Sequence, residues 1–184
     1  GAPGTPVGPG FGDSDNRRVA SMAVYNAGLY VGTYDSSGGS GCQVWSFDGA
    51  NWTRVGEGGF GDRANLSAAS LAATALDLYA GTYNEEYGCE VWRYDGASWH
   101  LEGDGGLGDA KNIAAPAVLA EGGYLFASAS NLDGAQVWRA RVSHTLYFAE
   151  GYTGDGFREF ICVGNPHAFT ARAALTYLFP DGSS

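Results

Sequence analysis

The sequence predicts an all-β protein assembled from repeated units of four antiparallel strands, and three observations predict it. The composition is the first: 30 Gly, 11 Tyr, 9 Phe and 5 Trp stand against 10 Lys+Arg and one Met. That balance favours strands and tight turns over helices. The second is a motif that recurs, "GFGDSDN" at 10–16, "GFGDRAN" at 59–65 and "GLGDAKN" at 106–112, spaced 49 (60 − 11) and 47 (107 − 60). The third is that other landmarks keep the same step: "LYVGTY" (29–34), "LYAGTY" (78–83) and "LFASAS" (125–130), then "CQVW" (42–45), "CEVW" (89–92) and "AQVW" (135–138). A period of 40–50 residues holding several short strands is the signature of a β-propeller blade.

The elements follow in order within one repeat. "ASMAVYN" (20–26) is a first strand, and after a Gly break "GLYVGTY" (28–34) is a second. The loop "DSSGGSG" leads to "CQVWSFD" (42–48), and the Asp-Gly turn at 48–49 to "NWTRVGE" (51–57). Turn residues separate the four strands. Apolar side chains on both faces of the third strand, Val44 on one and Trp45 and Phe47 on the other, mark a sheet sandwiched between neighbours. Trp45, Trp92 and Trp138 share one position and are expected to pack repeat against repeat.

Three repeats thus begin near 10, 59 and 106 in a first domain, 1–142. The third repeat has "APAVLAE", "GYLFASAS" and "AQVWRARV" but no fourth strand, whereas "TPVGPGFGD" (5–13) resembles the tail of a repeat, "TRVGEGGFGD" (53–62). Residues 1–9 are therefore expected to be a stray fourth strand that completes the third repeat, hiding a sheet edge. Propellers have four to eight blades, so completion is expected between copies of the chain, giving an oligomer or filament. A segment cut from a longer array is the rival explanation.

At "LYVGTY…VWRYDGASW" the chain resembles kelch-type and related propeller repeats of bacterial surface and secreted proteins. It departs from them where Gly32-Thr33 and Gly81-Thr82 replace the Gly-Gly pair, so the resemblance implies a fold and not a kelch function. Residues 143–184 form a second domain with three expected strands. Their "YFAEGYTGDGF…NP…LTYLFPDG" resembles a repeat of large extracellular bacterial proteins, which implies half of an immunoglobulin-like sandwich. Three strands cover only part of a sandwich. Both resemblances imply an extracellular or cell-surface location.

The formal net charge is −10, which disfavours a polyanionic partner such as nucleic acid. No apolar run approaches the roughly 18 residues of a membrane helix, so no membrane insertion is expected. Cys42 and Cys89 alternate with Ala135 at one repeat position, as a small buried side chain would; a Cys42–Cys89 bridge is the alternative, and Cys162 has no obvious mate. His100, His144 and His167 lack metal-ligand spacing, and Glu85-Glu86 are poorly placed as a glycosidase pair. The glycosylation-type sequons at Asn51 and Asn65 are read as coincidence.

Candidate ligand-binding residues come from the repeated Asp-x-x-Asn. Asp13/Asn16, Asp62/Asn65 and Asp109/Asn112 precede the first strand of each repeat, and Asp35, Asn84 and Asn131 open the loop after the second. A propeller brings these two loops to one rim. Their oxygens are expected to brace turns; they could also contact glycan hydroxyls, or hold Ca²⁺ at Asp13, Asp62 and Asp109. No cofactor other than Ca²⁺ is expected. The sequence is read first as a non-enzymatic extracellular protein that self-assembles with other copies of the same chain. A lectin-like rim binding glycans or Ca²⁺ is the second reading, and a propeller glycosidase the third.

Overall fold

A computed structural model describes residues 9–142. Within them the chain is all-β. The first repeat is a four-stranded antiparallel meander, β1 (Asn16–Tyr25), β2 (Gly28–Asp35), β3 (Val44–Phe47) and β4 (Trp52–Arg54). The second repeats it with β5 (Ser67–Ala73), β6 (Leu78–Tyr83), β7 (Val91–Tyr94) and β8 (Trp99–Gly103). The third contains β9 (Val118–Glu121), β10 (Tyr124–Ala129) and β11 (Gln136–Arg141), with no strand beyond β11 among the described residues. The segment 143–184, and the proposed strand in 1–8, lie outside the described residues. Gly10–Gly12, at the start of the first repeat, form part of a tight turn.

That turn explains the repeated Gly-Phe-Gly. Gly10, Phe11 and Gly12 take φ of 63°, 55° and 87°, Gly59, Phe60 and Gly61 take 59°, 59° and 100°, and Gly106, Leu107 and Gly108 take 72°, 60° and 97°. Three successive left-handed residues are accessible only where glycine removes the Cβ penalty. The central residue accepts that strain because its side chain has a place to go. Phe11 stacks on Trp45 at 5.3 Å and meets Trp52 edge-on at 5.1 Å, and Phe60 does the same with Trp92 at 5.3 Å and Trp99 at 4.8 Å. Trp45 and Trp92 therefore stack on the opening turn, whereas the Trp138 indole lies against Gly103 of the preceding repeat, as packing of repeat on repeat requires. The opening turn meets Trp45 and Trp92 because the chain leaving one repeat crosses the outer strands of the next before entering its first strand.

Repeats join through backbone at recurring points. Cys42 N–H donates to the Asn65 carbonyl at 2.8 Å and Gly59 N–H to the Cys42 carbonyl at 2.6 Å; Cys89 N–H and the Asn112 carbonyl (2.7 Å), and Gly106 N–H and the Cys89 carbonyl (3.0 Å), repeat the pair. Both cysteines are buried and free. Burial pushes the Cys89 thiol up to about 11 and raises that of Cys42 as well, so neither is a ready nucleophile.

Between the joined repeats lies an apolar layer. Tyr25, Cys42, Val44 and Val55 on the forward face of the first repeat meet Ala68, Leu78 and Tyr94 on the back face of the second, with Ala23, Leu71 and Trp99 at the margin. Gly32 and Gly81 set the approach. A Cβ on Gly81 would stand 2.5 Å from the Ala115 carbonyl oxygen and 2.6 Å from Ser70 Oγ, and one on Gly32 would meet the equivalent Ala68 and Ser21. Ser21 and Ser70 use that proximity to donate to the Ala68 and Ala115 carbonyls at 2.7 and 2.8 Å. The third repeat has Ser128 at the glycine position and is not approached there by a further repeat among the described residues.

Candidate functional site

The Asp-x-x-Asn side chains converge within each repeat, as the topology of the two loops requires. Each asparagine is buried and anchored twice. Asn16, Asn65 and Asn112 Nδ2 donate to the carbonyls of Gly10, Gly59 and Gly106 at 3.0, 2.9 and 2.9 Å, closing the left-handed turn. The same amides donate to Gln43 Oε1 (2.9 Å), Glu90 Oε2 (2.6 Å) and Gln136 Oε1 (2.9 Å) on the third strand. Thr33 Oγ1 donates to Asn16 Oδ1 at 2.6 Å and accepts Gln43 N–H, which is why threonine follows glycine in this repeat. Asn65 lies at the interior of the second repeat, so its sequon offers no exposed amide.

The aspartates brace the same turn. Asp13, Asp62 and Asp109 Oδ1 accept the N–H two residues on at 3.0, 2.9 and 3.0 Å. Their second oxygen is met differently in each repeat: Asp13 by Gln43 Nε2 at 2.9 Å, Asp62 by Asn84 Nδ2 at 3.3 Å, and Asp109 by Asn131 at 2.9 Å and Gln136 at 3.2 Å. Asn84 and Asn131 also donate to Asn65 and Asn112 Oδ1 at 3.1 and 3.0 Å. Carboxylate and amide have thus changed places: the first repeat has Asp35 with Gln43, the second Asn84 with Glu90.

Asp35, Asn84 and Asn131 hold the loop they open. Asp35 accepts the backbone N–H groups of Ser37, Gly38 and Ser40 at 2.7 to 3.0 Å, and Asn84 those of Glu86 and Tyr87. Asn131 accepts Asp133 N–H at 2.8 Å. Burial alone would raise the Asp35 carboxyl, but the donors from Ser37, Ser40 and Gly38 outweigh it and hold it below the usual range. Asp109 is likewise held down, chiefly by Lys111 N–H. Among the described residues no group of three or more His, Cys, Asp or Glu is close enough to hold a metal ion. All nine predicted rim residues are therefore engaged as turn and loop braces.

Two features escaped the sequence analysis. One is a pair of uncovered faces. Val44, Val91 and Val137 hold one repeat position, and they are 2%, 0% and 74% exposed. Leu119 and Ala135, on the same forward face of the third repeat, are also exposed. On the back face the order reverses, with Met22 64% and the equivalent Val118 9% exposed, and Val19 joins Met22 at the surface. The other feature is a groove of about 600 Å³ along the first strands, lined by Arg17, Arg18, Tyr34, Ser67 and Tyr83. A break in the repeat was the available signal: Arg17-Arg18 stands where the others have Leu66-Ser67 and Ile113-Ala114.

No known protein family matches the chain, and neither does any curated protein.

Proposed function

We propose that this chain is a non-enzymatic extracellular structural and interaction protein, whose propeller-type repeats assemble with further copies of the chain head to tail. The observation that carries it is Val137, bare at a position that the following repeat covers at Val44 and Val91. What covers Val44 is the back face of the second repeat, and the first repeat leaves the same back face exposed at Val19 and Met22. A second copy therefore offers the surface that the third repeat lacks. Burying a valine of this kind is worth about 1.5–3 kcal/mol, and such a heterologous contact propagates into a ring or a filament.

The joint has backbone chemistry to match. The bonds that tie Cys42 to Asn65 and Gly59 would tie Ala135 of one copy to Asn16 and Gly10 of the next. Ala135 is small and apolar, as are Cys42 and Cys89 at the two joints within the chain. The outer edge of β11 calls for a fourth strand, which the expected strand in 1–9 of another copy would supply. The kelch-like and "YFAEGYTG" resemblances support a place at the bacterial cell surface. The engagement of the rim oxygens inside each repeat favours assembly over a rim that binds glycan or Ca²⁺.

Light scattering and negative-stain images of one sample test this. Discrete oligomers or filaments are expected, and Val137→Lys and Met22→Lys are each expected to abolish them. Both side chains are exposed in the single chain, so its melting temperature should stay within a few degrees. A monomer at every concentration, or assembly indifferent to both variants, overturns the proposal.

A further inference from the structure

We propose that the groove along the first strands is a binding site for an acidic saccharide, with Arg17 and Arg18 taking its oxyanion group. The inference is independent of head-to-tail assembly. It begins with a bulge: β1 and β2 pair Asn16 with Asp35 and next Arg18 with Tyr34, so Arg17 is an extra residue. Neighbours on a regular strand face opposite ways, and a bulge re-aims one of them. Arg17 and Arg18 accordingly both line the groove.

Neither guanidinium forms an ion pair among the described residues. In a chain of net charge −10, the described ion pairs of arginine involve Arg93 alone, with Asp77 and Glu102. Arg17 Nε donates to Ser36 Oγ at 3.2 Å, and the Arg18 guanidinium lies 4.8 Å from the centre of the Tyr34 ring. Planar guanidiniums with free N–H groups are suited to carboxylate or sulfate.

The rest of the groove adds polar and aromatic contacts. Ser67 lines it, and its hydroxyl is the buried side-chain polar atom without a hydrogen-bond partner among the described residues. A buried hydroxyl in that state costs free energy unless something completes it. Tyr34 and Tyr83 add aromatic rings of the kind that pack on a sugar, with Arg18 over the Tyr34 ring and the Tyr83 hydroxyl donating to Glu85 Oε1. The volume is within the ~300–1,000 Å³ range of sites that enclose small ligands.

Repetition separates this site from the scaffold. The turn braces recur in every repeat, whereas Arg18 corresponds to Ser67 and Ala114. The fold therefore does not require an arginine there. Ala20, Ala69 and Pro116, at equivalent positions of the three repeats, also line the groove and keep it open with small side chains.

Titration calorimetry and amide NMR shifts with glucuronic acid, glucose and inorganic sulfate as probes provide the test. Glucuronic acid is expected to bind and to shift signals of Arg18, Ser67 and Tyr83, with glucose failing to saturate. Arg17→Gln and Arg18→Gln should each weaken binding by about 10-fold or more. Ser67→Ala should weaken it with no loss of melting temperature, and the exposed Arg63→Gln should leave it unchanged. The apo melting temperatures of the arginine variants should match wild type, which keeps a folding defect apart from a binding defect. Absence of binding, equal binding of glucose, equal binding of inorganic sulfate, or affinity indifferent to both arginines overturns the proposal.

Discussion

Asn65 donates to Glu90 at 2.6 Å, whereas the same bond in the sister repeats, Asn16 to Gln43 and Asn112 to Gln136, ends on a neutral amide at 2.9 Å. The second repeat keeps the geometry and changes the charge. Glu90 also accepts Trp92 Nε1 at 2.8 Å, as Gln43 accepts Trp45 at 3.0 Å. What the carboxylate cannot do is donate to Asp62, as Gln43 and Gln136 do to Asp13 and Asp109.

Glu90→Gln should therefore retain both accepted bonds and add a donor toward Asp62. Stability in urea at neutral pH is expected to rise by about 0.5–1.5 kcal/mol. A loss of similar size would mean that the charged bonds to Asn65 and Trp92 outweigh the neighbouring carboxylate.

Asn65→Ala removes the amide that closes the left-handed turn at Gly59 and leaves Glu90 and Asn84 short of partners. The expected cost is about 3 kcal/mol or more, since buried groups lose their bonds without regaining water. Asn51→Ala, at an exposed turn, should change stability by under about 0.5 kcal/mol. Chemical denaturation of the two variants in parallel separates the brace from a surface effect.

Gly81→Ala places a methyl group against the Ala115 carbonyl and Ser70 Oγ at 2.5–2.6 Å, and the carbonyl yields only if the backbone moves. Thermal unfolding should register about 1–3 kcal/mol of destabilisation. Ser128→Ala, at the same position of the third repeat, loses the two exposed bonds of Ser128 Oγ, accepted from Ala117 N–H and donated to the Ala117 carbonyl, and should cost about 1 kcal/mol. Equal costs at the two positions would show that repeat-to-repeat approach is not what selects glycine.

Asp35 supplies a pH dependence with a defined sign. Its carboxyl is held below the unfolded value, so its contribution is complete above about pH 4 and is lost as pH falls through the folded value. Asp35→Asn retains an oxygen for the loop N–H groups, as Asn84 does in the second repeat, but does not titrate. The variant should be less stable than wild type at pH 7, and the difference should shrink as pH falls below about 4. A difference that is constant from pH 7 to pH 2 would assign the effect to loop packing instead.

The repeat and its strand order were legible because their signals are local. Gly-Phe-Gly encodes a left-handed turn, Asp48-Gly49 and Asp95-Gly96 encode hairpin turns, and each works with neighbours a few residues away. The Asp-x-x-Asn oxygens were found by the same route, but their use was not. A carboxylate that binds a ligand and one that caps a turn are the same residue, and only the donors at Asp13, Asp62 and Asp109 distinguish them. The groove was missed for a different reason. Alternation places Arg17 and Arg18 on opposite faces, and the bulge that unites them depends on how β1 pairs with β2.

Val44, Val91 and Val137 show where the division falls. By itself the sequence determined that all three occupy one position of one repeat, on a strand apolar on both faces, because periodicity is written along the chain. It could not determine that two are buried and the third is 74% exposed. Burial is set by what lies across the gap, and for Val44 and Val91 that is a back face contributed by a different repeat. The tertiary structure alone decided which faces are covered, which are bare, and which arginines meet at the groove.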